Sequence, residues 1–444
     1  MSLKLGQVPA IVVSSPEAAE LFLKTHDTVF ATRPNIQGSD PFSTGVKGLA
    51  FAQYGPYWRY VRKLCTIHLL SASRVEMFAP LRTEEVGATV KLVQRAAAAR
   101  EVVDLSDVAG ELIENIVFKM VLGRTKDNRF NLKGLIREGL GLVGEFNIAD
   151  YIPWLGVFDP QGLTRKLKRN KKALLDAVEE IVTEHEQASG GEQNEDHHHH
   201  HHDFIHIMLS LLHQPMDLHQ EDQNHEDVLD RASLKAIVLD MIAAATDTSA
   251  VLVEWSLSEL LKNPRVMKNL QHELQNIVGM NRTVQESDLT KLTYLDLIIK
   301  ETLRLHPVAP LLIPRESMDD VSINGYYIRK KSRIMVNVWA IGRDPKVWSD
   351  NADMFYPERF IDSNIDIRGH DFELLPFGSG RRGCPGMNLG MTTVKYVIAQ
   401  LVHCFSWKLP GGMSPNDLDM NEKFGLSVPR VKHLLAVPTY RLYN

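Results

Sequence analysis

Cysteine is scarce in this chain. Cys65, Cys384 and Cys404 are the only three in 444 residues, too few for a disulfide framework and suited to a reducing compartment. No CxxC pair occurs, so a structural zinc site of the usual kind lacks its ligands. No dinucleotide-binding fingerprint of the strand–GxGxxG–helix kind appears, so a nicotinamide cofactor would bind another protein. Neither charge sign dominates: 50 basic against 55 acidic residues give a net charge of −5, which argues against a generally basic, nucleic-acid-binding surface. Long linkers are missing too, so residues 1–444 read as a single domain, although length alone suggests about three. No signal peptide or apolar anchor of about 20 residues precedes the first elements. The chain is therefore soluble or has lost its N-terminus.

What is present is mostly helical. "KLGQVPAIVVSS" reads as a β-strand, and "SPEAAELFLKTHD" as a helix with Ser15 as N-cap and Pro16 in its first turn. Ala232 to Lys262 predicts one helix of about 45 Å. A membrane span competes for that run, but Asp240, Asp247 and Glu254 recur every seven residues, and acids in lipid are costly. A buried core helix with a polar seam follows. Strand signals, "VSINGYYI" and "SRIMVNVWA", cluster after residue 320 with turn chemistry at Asn324-Gly325. The expected class is mainly α with a small β portion. Residues 188–203, "ASGGEQNEDHHHHHHD", read as a mobile polar loop. Its run His197 to His202 could bind transition ions, but a tag or low-complexity insertion explains it without any catalytic role.

The most informative stretch is "PFGSGRRGCPG", residues 376 to 386. An amphipathic helix starts at about Pro385, carrying Met387, Met391, Val394, Ile398, Leu401 and Phe405 on one face. Cys384 thus stands at a helix N-terminus beside Arg381 and Arg382, a setting that favours a thiolate. The glycines permit turns and close approach by something flat. A cysteine nucleophile would need a histidine base that sequence cannot locate, and structural zinc would need more ligands. An axial ligand to haem iron needs only one thiolate, and this fits best.

"FGSGRRGC" followed by "PG" resembles the haem-binding loop of the cytochrome P450 haem-thiolate monooxygenases through Phe377, Gly380, Arg382, Cys384 and Gly386. Further segments resemble the same family in order: "WRYVR" with Trp58 and Arg62, "KETLR" with Glu301 and Arg304, and "FYPERF" with Arg359. The likeness implies the P450 fold, with a long central helix and a proximal cysteine loop. It implies haem b ligated by the Cys384 thiolate, with Arg62 and Arg382 on the propionates and Trp58 at the haem edge. It also implies a buried network of Glu301, Arg304 and Arg359 that is structural rather than catalytic. "AATDTS" resembles the oxygen-activation motif, with Asp247 and Thr248 delivering protons to iron-bound dioxygen. A Thr hydroxyl bonded back to its own helix is the bland alternative. Ala245 departs from the glycine often found there, which puts coupling in question.

The same resemblance implies O2 and NADPH as co-substrates, with electrons from an NADPH–cytochrome P450 reductase that Arg59, Lys63 and Lys395 could help to dock. "FAQYGPYWRYVRKLC", "KETLRLHPVAPLLIPRES" and "AIGRDPKVW" are most similar to plant microsomal A-type enzymes of specialised metabolism. Those relatives sit on the cytosolic face of the endoplasmic reticulum membrane through an N-terminal anchor and proline-rich hinge that this sequence lacks. Substrate contacts carried over from the family fall on Ser39 to Leu49, Ala243, Ala244, Val308, Leu311, Leu312, Phe424 and Leu426. These mostly apolar positions suit a lipophilic metabolite such as a terpenoid, phenylpropanoid or other aromatic. The expected species is a monomer. A haem-thiolate isomerase or dehydratase independent of NADPH, and a non-catalytic haem sensor, are the rivals.

Overall fold

The computed structural model describes residues 1–35, 47–124, 129–191, 203–212 and 229–443. The helices of nine residues or more are α1 (Pro56–Leu64), α2 (Ala79–Ala99), α3 (Leu105–Leu122), α4 (Leu132–Gly144), α5 (Leu163–Gly191), α6 (Phe204–Leu212), α7 (Arg231–Lys262), α8 (Pro264–Val278), α9 (Thr293–Leu305) and α10 (Met387–Cys404). Asp230 caps α7, its carboxylate accepting the Ser233 N–H at 2.7 Å, and Lys262 closes the far end against the helix dipole. α7 is the one helix among the described residues long and apolar enough to cross a membrane, yet 72% of its apolar window is buried inside the protein. It is a core helix, packed by α3, α5, α6 and α10.

The acids of the seam are bonded rather than exposed. Asp240 accepts the N–H groups of Leu49 and Ala50 at 2.5 and 3.0 Å. Glu254 accepts the Ser106 hydroxyl and, at 3.2 Å, the Arg430 N–H. Partnered in this way, buried carboxylates stop being a liability. Burial still raises the Glu254 pKa, against the pull of Ser106 and Arg430.

The strands are few. One sheet has the order β1 (Ser2–Leu5), β2 (Val8–Val13), β7 (Arg333–Val336), β4 (Arg315–Glu316), with β2 and β7 parallel and Ala10 opposite Arg333. A second joins β3 (Val103–Asp104), β9 (Leu435–Tyr440) and β8 (Phe405–Lys408). β5 (Val321–Ile323) and β6 (Tyr326–Ile328) form a hairpin turning on Asn324 and Gly325, at φ 49° and 81°, the two left-handed residues such a tight turn demands.

Three expectations change. The first strand is a hairpin, because Gly6 at φ 58° turns the chain between β1 and β2. "SRIMVNVWA" stops being strand at Val336, where the Asn337 side chain caps a short helix by accepting the Ala340 N–H at 3.0 Å. The predicted loop 188–203 begins as helix, since α5 runs to Gly191, and ends at buried Asp203, which holds the start of α6. His197 to His202 lie outside the described residues.

Candidate active site

The cysteine loop is closed by its own backbone, the Cys384 N–H donating to the Phe377 carbonyl at 2.9 Å. Gly378 and Gly380 make the bend at φ 66° and 65°. A Cβ on Gly380 would stand 2.4 Å from the Leu23 carbonyl oxygen and 2.6 Å from Asp27 Oδ1. Gly380→Ala is therefore expected to cost about 1–3 kcal/mol through backbone strain, and more if the clash is not relieved. Thermal denaturation of the haem-loaded protein, with a melting point several degrees lower, checks this.

Above the loop lies a cavity of about 320 Å³. Cys384 has accessible surface, and that surface is cavity wall. Ala244 and Thr248, likewise accessible on the otherwise buried α7, line the same cavity. The thiol and the Thr248 hydroxyl thus share one enclosed space, most of whose lining is apolar, including Ile113, Val117, Phe204, Val308 and Leu312.

The electrostatics around the sulfur differ from expectation. Burial raises the Cys384 thiol above its ordinary value, opposed by the Gly386 N–H, Arg62 and the Met387 N–H. Arg381 does not help, because its guanidinium turns to Asp27 at 3.0 Å and to the Tyr54 hydroxyl at 3.1 Å. A bound cation at the sulfur would act in the opposite direction to burial and favour the thiolate.

Four arginines line the cavity: Arg33, Arg62, Arg315 and Arg382. Arg315 pairs with Asp27 at 3.0 Å. The others rest on carbonyls: Arg33 on Ala50, Ile313 and Pro314, Arg62 on Gly383 at 2.6 Å, and Arg382 on Ala31 and Ala52 at 2.6 and 2.5 Å. None of these three has a carboxylate partner among the described residues. Burial, and then Arg315 and Arg62, push the Arg382 pKa down to about 9. Burial and its arginine neighbours lower Arg33 as well.

Crowded, buried cations without an anion are unfavourable, and a group carrying two carboxylates would relieve them. A Cβ at cavity-lining Gly386 would meet nothing within 4 Å, so there is open space beside the sulfur. Thiol, arginines and clearance together fit haem.

The remaining predicted residues sort clearly. Trp58 anchors the arginine wall: its indole donates to the Leu49 carbonyl at 3.0 Å, and the Arg382 guanidinium lies 4.1 Å from its ring. Phe377 lines the cavity, whereas Gly380 sits beneath it as a turn. The Thr248 hydroxyl donates to the Ala244 carbonyl at 2.6 Å, the back-bonded geometry set out above as the alternative. Asp247 does not reach this cavity. About 100° around the helix from Thr248, it accepts the Ser427 hydroxyl and lines a second cavity of about 110 Å³ with Glu114, Lys133 and Arg137.

Of the substrate positions, Ala244, Val308 and Leu312 line the main cavity. Ala243 does not, because it packs into the core on another face of α7. Leu311 and Phe424 are 41% and 82% exposed, and Leu426 packs by its backbone against Gly144 of α4. Residues 39–46 of the predicted substrate loop lie outside the described residues; Leu49, beyond them, lines the cavity.

Glu301, Arg304 and Arg359 form one network. Arg304 donates to both carboxylate oxygens of Glu301 at 2.7 and 2.8 Å, and Arg359 reaches Glu301 Oε1 at 2.9 Å. Lys395 pairs with Asp296, while Arg59 and Lys63 are exposed on α1. Sequence reasoning missed Arg33 and Arg315. Their only signal is an arginine beside proline within apolar sequence, "FATRPN" and "LLIPRES".

The family profile described as Cytochrome P450 matches residues 1–436. The chain is 55% identical over 442 residues to Cytochrome P450 CYP736A12 of Panax ginseng, covering 100% of this chain and 87% of the relative. It is 39% identical over 458 residues to 3,9-dihydroxypterocarpan 6A-monooxygenase of Glycine max, covering 100% and 86%. Among solved structures it is similar to a zebra fish cytochrome P450 with progesterone, at TM-score 0.80 and 25% identity, covering 99% of this chain and 96% of that one.

Proposed function

Because the chain belongs to the cytochrome P450 family of oxygen-incorporating oxidoreductases, we propose that it is a monooxygenase that hydroxylates a lipophilic plant metabolite: a terpenoid, phenylpropanoid or other aromatic. The observation that carries this reading is the apolar cavity holding the Cys384 thiol and the Thr248 hydroxyl. We read residues 1–444 as one catalytic domain.

Haem, when bound, supplies an iron that activates dioxygen with electrons from NADPH. Cys384 would supply its thiolate ligand, and Arg33, Arg62 and Arg382 would hold its carboxylates by charge-assisted hydrogen bonds. Phe377 and Gly386 shape the wall beside the sulfur. Ala244, Val308 and Leu312 exclude water from the substrate and orient it by shape.

Thr248 acts inside the main cavity, and Asp247, which faces the second cavity, would pass a proton to it by turning away from Ser427. With its hydrogen on the Ala244 carbonyl, the Thr248 hydroxyl keeps lone pairs free to accept a hydrogen bond inside the cavity. Burial raises the Asp247 pKa, against Ser427 and Arg137, so the acid retains a proton to higher pH than an exposed aspartate. Asp247→Asn is expected to lower kcat by ~10²-fold, the low end of what a proton donor contributes, with the substrate-binding spectrum unchanged. Thr248→Ala should keep haem but release more peroxide per product; equal coupling in both proteins would count against its role.

The electron donor is an NADPH–cytochrome P450 reductase, with exposed Arg59 and Lys63 as docking charges. Lys395 is already paired with Asp296 and contributes less. Exposed Trp154, Val157 and Phe158, between α4 and α5, suit contact with the cytosolic face of the endoplasmic reticulum membrane. The test is turnover of haem-loaded protein with reductase, NADPH and labelled dioxygen across plant metabolites that perturb the haem spectrum. One labelled oxygen in the product supports the reading; product formed without NADPH favours an isomerase or dehydratase instead.

A further inference from the structure

Away from the haem cavity, a second constellation joins α5 to α6. His185 projects from α5, Asp203 precedes α6, and His206 lies in the first turn of α6. Asp203 Oδ2 stands 3.1 Å from His185 Nε2 and 3.0 Å from His206 Nδ1. The three candidate ligand atoms lie within 4.8 Å of one another. Asp203 and His185 are nearly closed off, with side chains 5% and 11% exposed, while His206 at 33% opens to solvent.

The hydrogen bonding of His185 narrows what can sit there. Its Nδ1 is 2.7 Å from the Ile181 carbonyl oxygen, which can only accept, so Nδ1 carries a hydrogen. In the neutral ring, Nε2 then aims its lone pair at a carboxylate oxygen. Two electron-rich atoms at that distance require a hydrogen or a cation between them: a ring proton, a carboxyl proton or a metal. The same Oδ2 faces His206, so one cation can serve all three groups.

Zinc bonds of about 2.0–2.2 Å at tetrahedral angles place neighbouring ligand atoms about 3.3–3.6 Å apart, a little wider than the two Asp203 separations of 3.1 and 3.0 Å and within the 4.8 Å that spans all three atoms. The supporting contacts are those of a built site. Ile181 fixes the His185 tautomer, and Asp203 Oδ1 accepts the His206 backbone N–H at 3.0 Å. A Cβ on Gly123, at φ 69°, would stand 2.5 Å from Asp203 Oδ2, so glycine makes room for the carboxylate. Nearby Arg124 has its charge offset by Glu184 at 2.8 Å.

We propose that His185, Asp203 and His206 bind a first-row divalent cation, Zn²⁺ by preference, which clips the end of α5 to the start of α6. Two imidazoles and one carboxylate are the donor set such ions take.

Because His197 to His202 would also bind Zn²⁺, the test uses the full chain with those six residues replaced by serine. It is haem-loaded so that Cys384 is not a competing ligand. Titration calorimetry with zinc sulfate, and metal analysis after dialysis, should show one equivalent of Zn²⁺. His206→Ala and Asp203→Asn, the latter keeping an oxygen for the His206 N–H, should each weaken binding at least ~10-fold, the least that loss of even a partner supporting a ligand costs. An unchanged haem-thiolate spectrum reports that the variants are folded. Should Asp203→Asn fail to fold, His206→Ala decides. No zinc in the serine-substituted chain, or equal affinity in the folded variants, overturns the proposal.

Discussion

Replacing Cys384 by alanine is expected to abolish the red-shifted Soret band of the ferrous carbonyl complex and all product formation. No other group can take the sulfur's place. The remaining cysteines, Cys65 and Cys404, are buried in the hydrophobic core, and burial raises the Cys404 pKa to about 12. Among the described residues no histidine lines the main cavity. The arginine wall is untouched by the substitution, so haem is expected to be retained in part, held by its carboxylates but without thiolate character. The check is the reduced carbonyl spectrum beside total haem. An unchanged band would remove the basis of the proposed chemistry.

The second large effect is on stability. Glu301 and Arg304 are fully buried, and Arg359 is nearly so. Arg304 also donates to the Gly342 and Ala352 carbonyls at 2.5 and 2.6 Å, and Glu301 Oε1 accepts the Tyr356 N–H at 2.8 Å. Glu301→Gln leaves two buried guanidinium groups without a counter-charge, and breaking such a network costs about 3–5 kcal/mol. Arg304→Lys should also destabilise, because an ammonium cannot reproduce the fork that spans Glu301 and two carbonyls. Denaturant unfolding of the haem-loaded protein measures both. A Glu301→Gln midpoint within error of the parent's would show that the network contributes specificity rather than stability.

These two sites were also the most legible in the sequence, for a physical reason. The cysteine loop and the Glu–Arg pair draw their meaning from residues a few positions apart, so the motif and the geometry nearly coincide. Asp247 and Thr248 show where that stops. They are adjacent in sequence, but helical rotation sends one to each of two cavities, and only the packing of Ser427 determines where the acid points. Arg33 and Arg315 were unreadable because their value lies in meeting each other and Arg382 across most of the chain. Phe424 and Leu311 misled because an apolar residue in a family's substrate segment need not face the cavity in this chain. The thiolate expectation at Cys384 weighed the helix dipole and neighbouring charge but not burial, which raises the thiol's pKa.

The parallel pairing of β2 with β7 sets a timetable for synthesis. Residues 8–13 are made long before their partner, residues 333–336, so the β1–β2 hairpin must wait with one edge open while the sequence between them is made. Contacts separated this far in sequence form late and slowly, and an unpaired edge invites association with other nascent chains. The cofactor pocket inherits the same delay, since Arg33 and Arg62 come from early sequence and Arg382 and Cys384 from late sequence. Low temperature and slow expression, which give these distant segments time to meet, should therefore raise the yield of coloured protein.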